Sequence, residues 1–527
     1  MNKTVGLRQS LDFGNLTLCE LLNRAVELAP DHVAVIFPES GKSLTYREFD
    51  EQVNLWCRIL RSHSIAFGDR VGIMLTNRIE YPIIWFGLAR LGAIMVTVNS
   101  NFRSHDAGHI IKLSGCRLVV GAENTIGVLR SVASDLVPEL VIVDADAVEE
   151  GNAQVDSITA LVVPESTVNL QFTSGTSGSP KGCVLSHRYW LTMAHKNVIE
   201  VPGLNSKDVI LTAQPFSYMD PQWSFVSSMA ALATLVVLDR FHPSSFWKSV
   251  ADYKVTFFYC LGVMPRLMLR SPVVPAEREH RVRVVCCSGI PTDLHFELES
   301  RFGVPWIETY GMTEIGNGAS MHLKDAARFV GTGVIGRATS RRELRVLDKN
   351  GAAVERGIEG ELAVRGVGLM DGYFDDVEAT AQVFYNGWFR TGDRVVMDSD
   401  GFVKFCQREK DMIRRSGENI SAVEVEQVIE QNVAVLISAC VPVTDDLRGE
   451  EVKAFVVLQP GSPKNLVESE LPEFCDALLA YFKVPRYWVV LDALPLTASS
   501  KVAKSDLMAP SFQQDHKVWD RMAGSWT

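Results

Sequence analysis

The chain lacks the features that mark secreted, membrane-spanning or zinc-dependent proteins. Its ten cysteines are scattered through 527 residues without a C-x-x-C pair, a usage typical of reduced thiols in the core of an intracellular protein. The eleven histidines include no H-E-x-x-H motif and no close cluster with cysteine, which argues against a zinc site. No apolar run is long enough for the ~20 residues that a membrane span needs. We therefore expect a cytoplasmic protein without a membrane span.

Positive charge is also scarce. The 52 Lys and Arg residues against 63 Asp and Glu residues give a formal net charge of -11. Such a chain repels a polyphosphate backbone, so nucleic acid is not an expected partner. The hydrophobic share of 47% is that of a globular protein, and 527 residues exceed the ~250–300 that one core supports. More than one domain is therefore expected.

The rhythm of the chain predicts an α/β fold in its first part. Between about residues 20 and 270, helical apolar spacing alternates with short β-branched runs such as VAVIF (33–37) and TFFYCL (256–261), which favours doubly wound α/β layers. Thr45 followed by Glu48 predicts a capping box that opens a helix. This region is expected to be a large N-terminal domain.

The pattern changes twice further along. From about residue 335, runs joined by Asn350-Gly351 and Asp400-Gly401 predict an antiparallel β subdomain. A later alternation, with a helix from about residue 422 and another through 468–482, predicts a small, mobile α+β C-terminal domain. We expect boundaries of 1–409 for the N-terminal domain and 410–527 for the C-terminal one.

The densest local signal is TSGTSGSPKG at 173–182, which follows a strand-like run. Glycines allow a close backbone approach, and N–H groups, hydroxyls and Lys181 can then converge on phosphate oxygens. It is not a Walker loop, because Pro180 stands where the second glycine belongs and Gly182 where the hydroxyl residue belongs. The segment predicts a polyphosphate-binding loop rather than a polar surface loop.

Two other patterns are given structural interpretations. Gly331, Gly333 and Gly336 match G-x-G-x-x-G, but the strand-like RRELRVLD that follows favours a glycine-rich turn over a dinucleotide site. His187, shortly after the polyphosphate-binding loop, is interpreted as a packing residue at the start of a helix.

The polyphosphate-binding segment resembles the phosphate loop of the adenylate-forming superfamily, which includes acyl-CoA ligases, adenylation domains and luciferases. Further motifs follow in the order typical of that superfamily: YGMTE (310–314), GWFRTGD (387–393), QREKDMIRRSGENISAVEVE (407–426) and LPLTASSKVAK (494–504). The resemblance covers nearly the whole chain. The stretch SSFWKSVADYKVT (244–256) looks most like acyl-CoA ligases of the carnitine/crotonobetaine and medium-chain type.

The resemblance implies a nucleotide site and its catalytic groups. Lys501 would stabilise the charge that builds up when a carboxylate attacks the α-phosphate. Thr313 would bond the α-phosphate, and Glu314 would hold Mg²⁺, a cation that prefers oxygen ligands. The implied nucleotide-binding residues are Thr173, Ser174, Gly175, Thr176, Ser177, Gly178, Lys181, Ser288, Gly289, Ile290, Tyr310, Gly311, Met312, Asp393 and Arg408.

The same resemblance implies residues for domain rotation, for the second reaction step and for the acid. Lys410 matches the hinge, and Arg414 and Gly417 lie in the segment that would replace Lys501 during transfer to CoA. The implied acyl-pocket residues are Tyr218, Trp223, Gly262, Cys287 and Gly316. The chain departs from the family at Tyr218, where a gating His is usual, and at Gln407, Ala422 and Ser500.

The implied activity is that of an ATP-dependent, AMP-forming acyl-CoA ligase using ATP, Mg²⁺ and CoA. It would convert a carboxylic acid to an acyl-adenylate with release of pyrophosphate and then transfer the acyl group to the CoA thiol. Two alternatives stay open: a stand-alone adenylation enzyme that loads an acyl carrier protein, and a non-catalytic nucleotide-binding relative. The intact Lys501, Glu314 and Asp393 argue against the latter. The identity of the acid and the existence of a homodimer also stay open.

Overall fold

The computed structural model describes residues 15–148, 161–173, 180–261, 264–408, 412–415, 418–445, 448–479, 481–497 and 501–527. These residues belong to two compact units. The first comprises the chain as far as Ala353 together with Ala363–Thr391 and Met397–Lys404. The second comprises Val354–Leu362, Gly392–Val396 and Phe405–Thr527. The domain boundary between residues 409 and 410 stays a prediction.

The described α-helices, in chain order, are α1 Leu18–Leu28, α2 Tyr46–Ser62, α3 Glu80–Leu91, α4 Ser104–Ser114, α5 Glu123–Asp135, α6 His187–Ile199, α7 Met219–Ala231, α8 Phe246–Asp252, α9 Met264–Arg270, α10 His295–Phe302, α11 Leu323–Ala326, α12 Val377–Val383, α13 Ala422–Gln431, α14 Glu470–Leu478, α15 Lys504–Met508 and α16 Pro510–Gln514. Short 3₁₀ turns lie at Pro38–Ser40, Ala145–Ala147, Pro275–Glu277 and Lys464–Glu468.

The described strands of the first half are β1 Val33–Phe37, β2 Lys42–Thr45, β3 Arg70–Ile73, β4 Ile94–Thr97, β5 Leu118–Gly121, β6 Val141–Asp144, β7 Thr167–Thr173, β8 Lys181–Ser186, β9 Val209–Thr212, β10 Thr234–Val237, β11 Phe257–Leu261 and β12 Val284–Ser288. Those that follow are β13 Trp306–Met312, β14 Gly316–Ser320, β15 Val334–Ala338, β16 Arg342–Leu347, β17 Glu359–Gly366, β18 Gly372–Tyr373, β19 Phe384–Tyr385, β20 Trp388–Met397, β21 Val403–Arg408, β22 Met412–Arg415, β23 Glu418–Ser421, β24 Val435–Asp445, β25 Gly449–Leu458, β26 Tyr487–Leu491, β27 Trp519–Asp520 and β28 Ser525–Trp526.

Two sheets organise the first unit. In one, strands follow the order β18-β8-β7-β4-β3-β5-β6, with β7 and β8 antiparallel and the strands from β7 through β4 to β6 parallel. The other contains the parallel run β1-β10-β9-β11-β12-β13, which continues antiparallel into β14 and β15. This confirms the predicted α/β fold with layers of parallel strands and helices and a following antiparallel region.

The parallel strands form because their sequences can be buried on both faces. Every residue of β11, FFYCL, is buried, and its neighbour β12 is buried except at its last residue. The helices between them begin where the sequence indicates. Thr45 accepts a bond from the Glu48 N–H, while the Glu48 carboxylate accepts the Thr45 N–H at 2.8 Å, so the predicted capping box at α2 is confirmed.

The glycines at 331–336 do not all have the role expected from the sequence. Gly331 and Gly333 have φ near +74° and lie in a turn, as predicted. Gly336 lies within β15 at φ +101°. A Cβ there would lie 2.1 Å from the Ser320 carbonyl, so glycine is required by the close approach of the two strands rather than by a turn. The strand-like RRELRVLD forms β16.

The second unit has a mixed sheet of its own, in the order β23-β22-β25-β26-β27-β28, with β24 also paired to β25. Helix α13 begins at Ala422 as predicted, but the helix expected through 468–482 is only Glu470–Leu478. It ends early because Leu479 has an extended backbone. The small α+β unit predicted from the sequence is confirmed.

All ten cysteines are free thiols, and all except the partly exposed Cys406 are buried, which matches the expectation of core thiols. No helix in the described part of the chain combines the length and the apolar character that a membrane crossing needs.

Candidate active site

The segment predicted to bind polyphosphate begins at the end of β7 and ends at the start of β8, two antiparallel neighbours. Thr173, the last residue of β7, pairs with Lys181, the first residue of β8. The residues between them that were predicted to bind nucleotide, Ser174, Gly175, Thr176, Ser177 and Gly178, lie outside the described residues. In a Walker loop the lysine opens a helix, whereas here it opens a strand. The exclusion of a Walker loop is therefore confirmed.

A tyrosine that the motifs did not reveal connects this hairpin to Glu314. Tyr373 lies on β18, which pairs with β8. Its hydroxyl donates to Glu314 Oε1 at 3.0 Å, and the Lys181 ammonium lies 5.2 Å from the centre of its ring. Burial raises the pKa of Tyr373, and the Glu314 charge acts in the same direction. The hydroxyl therefore stays a donor, and it orients the carboxylate predicted to hold the metal.

The YGMTE motif forms the end of β13 and the turn into β14. Gly311 is required because a Cβ there would lie 2.4 Å from the Gly316 carbonyl oxygen. Tyr310 is buried, and a Cβ added to Gly318 would lie 3.4 Å from its ring. Glu314 is only 9% exposed. This carboxylate is thus held within the protein, unlike the exposed acid of an ordinary turn.

The predicted second wall of the nucleotide site, Ser288-Gly289-Ile290, follows β12, the parallel neighbour of β13. The Glu308 carboxylate of β13 accepts the N–H groups of Gly289 and Ile290 at 3.0 and 3.1 Å. Burial raises the pKa of Glu308 to about 8, although both N–H bonds act to lower it. Glu308 belongs to no motif recognised in the sequence, yet it holds the wall in place.

Next to these two walls lies a small cavity, the inner cavity, with about 300 Å³ of unfilled space when the open solvent at its mouth is included. Its lining comes from helices α6 and α7, from the segment between α6 and β9, and from strands β9, β11, β12 and β13. The lining residues are Lys196, Asn197, Leu204, Ile210, Trp223, Ser224, Ser227, Phe257, Tyr259, Cys286 and Thr309. The Tyr259 hydroxyl bonds to Ser288 Oγ, which donates to the Thr309 carbonyl. The inner cavity and the nucleotide wall therefore share one hydrogen-bond network.

The structure distributes the predicted acyl-pocket residues unevenly. Trp223 lines the inner cavity, and its ring meets Tyr259 edge to face at 4.8 Å. Cys287 does not line it: the alternation of a strand turns Cys287 into an apolar core cluster and Cys286 toward the inner cavity. The assignment of Cys287 to the acyl pocket stays a prediction, and of the two adjacent cysteines it is Cys286 that lines the inner cavity.

The remaining acyl-pocket predictions concern the ends of α7 and β14. Tyr218 is the N-cap residue of α7, half-buried, and its hydroxyl accepts a bond from Asn99 Nδ2 at 3.3 Å. Gly316 has φ +63°, and a Cβ there would lie 2.5 Å from Met193 Sδ. Gly262 lies outside the described residues.

Predicted site residues of the second unit are described by themselves. Asp393 lies within β20 rather than in a turn, and it is 1% exposed. Lys501 is exposed; its N–H donates to Thr497 Oγ1 at 3.1 Å, and its carbonyl accepts the Thr497 N–H. Arg408 ends β21 and Arg414 lies in β22, but their side chains are outside the described residues, as are Lys410 and Gly417.

His187 has a structural position. It is the first residue of α6 and 1% exposed, and its Nδ1 accepts the N–H of Leu18 at 3.1 Å. Burial lowers the pKa of His187 to about 4, so the ring stays neutral and can accept this bond. The prediction of a packing residue at a helix start is confirmed.

Two family models match the chain. One, described as AMP-binding enzyme, covers residues 22–374, and the other, described as AMP-binding enzyme C-terminal domain, covers residues 424–501. The chain belongs to the AMP-binding enzyme family. The predicted membership of the adenylate-forming superfamily is thereby confirmed.

Individual AMP-binding enzymes match this chain over almost its full length. The crotonobetaine/carnitine–CoA ligase of Citrobacter koseri is 30% identical over 518 residues, which are 94% of this chain and 99% of that protein. The structure of o-succinylbenzoate CoA synthetase from Bacillus subtilis with its acyl-adenylate intermediate matches with a TM-score of 0.83 and 25% identity, over 94% of this chain and 98% of that one. A benzoate CoA ligase from Burkholderia xenovorans LB400 has the same fold at 23% identity and a TM-score of 0.83, over 94% and 100% of the two chains.

Proposed function

We propose that the chain is an ATP-dependent, AMP-forming acyl-CoA ligase. The observation that carries the proposal is the arrangement of Lys181, Tyr373 and Glu314, which places a cation and a buried carboxylate on either side of one tyrosine at the neck of the polyphosphate-binding hairpin. That arrangement suits a nucleoside triphosphate with its bound metal ion. The names of the relatives, which are CoA ligases, supply the class of reaction.

In the first step an oxygen of the substrate carboxylate attacks the α-phosphorus of ATP. An O–P bond forms, the bond to the β-phosphate breaks, and pyrophosphate leaves. Lys501 would approach the reacting oxygens and offset their charge, and Thr313 would donate to the α-phosphate. Tyr310 and the Ser288-Gly289-Ile290 wall would enclose the adenine, with Asp393 and Arg408 on the ribose.

Mg²⁺ is the metal that these residues fit. Among the described residues no group of three or more His, Cys, Asp or Glu side chains could hold a metal ion. Mg²⁺ in nucleotide sites commonly takes one or two carboxylates together with phosphate oxygens, and Glu314 supplies one. When bound, the ion would neutralise phosphate charge as pyrophosphate leaves. Tyr373 holds the Glu314 carboxylate in position for that role.

In the second step the sulfur of CoA attacks the carbonyl carbon of the acyl-adenylate, a C–S bond forms, and the C–O bond to AMP breaks. Rotation of the 410–527 domain about Lys410 would bring Arg414 and Gly417 to the site in place of Lys501. An acyl carrier protein offers the same thiol chemistry, so the acceptor is decided by the experiment.

The test is acid-dependent exchange of pyrophosphate into ATP across a panel of aliphatic, aromatic and dicarboxylic acids, without thiol. We expect exchange with at least one class of acid, and then acid-dependent AMP release when CoA is added. AMP release with a phosphopantetheinyl carrier protein but not with CoA would replace the ligase with a carrier-loading enzyme. ATP binding without exchange for any acid in the panel would contradict the proposal.

A further inference from the structure

The inner cavity is lined by a buried lysine whose ammonium forms no hydrogen bond or close ion pair with a described side chain. Lys196, on the third turn of α6, is 3% exposed, and burial lowers its pKa. Its backbone carbonyl accepts the Glu200 N–H at 2.9 Å, and the charges of Glu200 and Cys286 act to raise its pKa against the larger effect of burial. Glu200, one turn further along α6, instead accepts the N–H of Ser340 at 2.6 Å. A buried ammonium that is not hydrogen-bonded to a described side chain is costly, so its presence calls for an explanation.

A second donor in the inner cavity also lacks an acceptor. Trp223 Nε1 is buried and has no hydrogen-bond partner among the described residues. Two of the other polar groups satisfy each other, since Asn197 Nδ2 donates to Ser227 Oγ at 3.0 Å. Lysine and tryptophan side chains can only donate. The inner cavity therefore presents two donors, one of them a cation when protonated, and what is missing is an acceptor.

The inner cavity lies where it could hold the end of the acid that is opposite the carboxylate joined to AMP. Cys286 and Thr309, which line it, precede the nucleotide-wall residues Ser288 and Tyr310 by two residues and one residue on neighbouring parallel strands. At ~3.3 Å per residue the inner cavity begins roughly 3–7 Å below that wall. An acyl group joined to the adenylate and directed into the protein would reach it.

We propose that the acid activated by this enzyme carries a second carboxylate at its far end, bound in the inner cavity by Lys196 Nζ and Trp223 Nε1. This inference rests on the proposed function. A carboxylate supplies the missing acceptor oxygens and the counter-charge, and the flexible stem of lysine lets the ammonium follow it. A quaternary ammonium such as that of carnitine would be repelled by the same lysine, so this site differs in preference from the acids named for the crotonobetaine/carnitine–CoA ligases.

The experiment compares unbranched dicarboxylic acids of four to ten carbons, and terephthalate, with their monomethyl esters, which keep the shape but remove the distal charge. 4-(Trimethylammonio)butanoate is the cationic probe. Pyrophosphate exchange is measured for the wild type, for Lys196→Met and for Trp223→Phe, with Lys207→Met, an exposed lysine outside the inner cavity, as the matched control. Binding of each acid in the presence of AMP is measured by calorimetry, so that affinity is known independently of turnover.

We expect the wild type to use the best diacid at least tenfold better in kcat/KM than its monomethyl ester. Lys196→Met should abolish that preference by raising KM for the diacid about tenfold or more, with kcat for the ester retained. Trp223→Phe should weaken the preference by a few fold, and Lys207→Met should leave it unchanged. Lys196→Met should fold, because methionine fills the site without a charge.

Equal use of diacid and ester by the wild type, or a preference that survives in Lys196→Met, would overturn the inference while leaving the ligase intact. Lys196-dependent binding of diacids without any exchange would support the ligand class and contradict the proposed reaction. Absence of diacid binding by calorimetry would overturn the inference whatever the exchange assay shows.

Discussion

The nucleotide wall and the inner cavity beneath it are built by different means. The wall uses turns at the ends of β12 and β13, where Gly289 has a positive φ and Gly311 permits a close backbone approach. The inner cavity is closed by side chains from α6 and α7 and from four strands. A turn whose backbone must contact a phosphate or an adenine restricts the residue types in a short stretch of sequence. A cavity restricts only the total volume and the charge of the side chains that line it. The chemistry that this enzyme shares with its family therefore lies in a region that sequence motifs predict. The adjacent region that we propose sets its preference among acids is one that no motif predicts.

The largest effect is expected at Lys501. If Lys501 had no effect, the sequence motifs would not identify the catalytic residues, and the comparison between the nucleotide wall and the inner cavity would no longer hold. Lys501→Ala should lower pyrophosphate exchange about 10³-fold, because the charge that develops on the reacting oxygens would lack the cation that we propose for it. Transfer from acyl-adenylate to CoA should be nearly unchanged. Lys464→Ala, an exposed lysine of the same unit paired with Asp492, is the control. An equal loss in both half-reactions would show a structural role for Lys501.

The pair formed by Glu314 and Tyr373 tests whether a residue of the YGMTE motif depends on a residue from outside the motifs. Glu314→Gln should lower exchange about 10²-fold and raise the Mg²⁺ concentration needed, since a neutral amide is a weaker ligand. Tyr373→Phe, which removes only the hydroxyl on Glu314, should cost about tenfold, the equivalent of one hydrogen bond to a charged group. Exchange measured against Mg²⁺ concentration separates the two variants. Unchanged Mg²⁺ dependence in both would contradict the role of Glu314.

Measurements of the free energy of unfolding show how much stability the protein loses by keeping Lys196 in the inner cavity. Lys196→Met should raise the free energy of unfolding by about 2 kcal/mol at neutral pH, because a buried group without a partner is removed. Since the pKa of Lys196 is lowered in the folded state, the unfolded state binds more protons as pH approaches 10.5, and wild-type stability from this group rises with pH. The advantage of Lys196→Met should therefore shrink between pH 7 and pH 10.

The same experiment has internal controls. Denaturant unfolding at both pH values should show no difference for Lys207→Met. Cys286 and Glu200 interact electrostatically with Lys196, so the pH dependence is measured again in a Cys286→Ser background, where the shrinking advantage of Lys196→Met should persist. An advantage of Lys196→Met that stays constant with pH would show that packing, not charge, sets the cost.

The smallest effect is expected at Glu308. Glu308→Ala should raise KM for ATP about five- to tenfold with little change in kcat, because the Gly289 and Ile290 N–H groups lose their acceptor and the wall loosens. Glu308→Gln keeps one acceptor oxygen and should change KM about twofold. Glu297→Ala, an exposed acid on α10, serves as the control. A kcat effect larger than the KM effect would place Glu308 in the chemistry rather than in the wall.

Much of the molecule could be predicted from the sequence for identifiable reasons. Runs such as FFYCL have no polar residue for solvent and so predict a strand buried on both faces, and Thr45 with Glu48 satisfies helix N–H groups locally. Both signals are complete within a few residues. The helix predicted through 468–482 is shorter than expected because periodicity does not determine where a helix ends.

Cys286 and Cys287 show where such reasoning stops. Both cysteines of β12 are equally apolar, and only the face to which each points separates Cys286 in the inner cavity from Cys287 in the core. Lys196 left a faint signal, since it follows the buried Tyr189 and Met193 at positions i+7 and i+3 and so occupies an apolar face of α6. That spacing indicates a buried lysine but not what surrounds it.

The sequence by itself determined the superfamily, the α/β layering and the ordered motifs, because backbone turns and hydroxyl, glycine and lysine chemistry at fixed spacing leave their mark on contiguous residues. Only the tertiary structure decided which groups come together: Tyr373 bonds to Glu314, Glu308 bonds to the Gly289 backbone, and Lys196 and Trp223 line the same inner cavity. Those contacts join residues that are between 19 and 59 positions apart in the chain. The packing of helices onto a sheet brings them together, and no local pattern of residues encodes that packing.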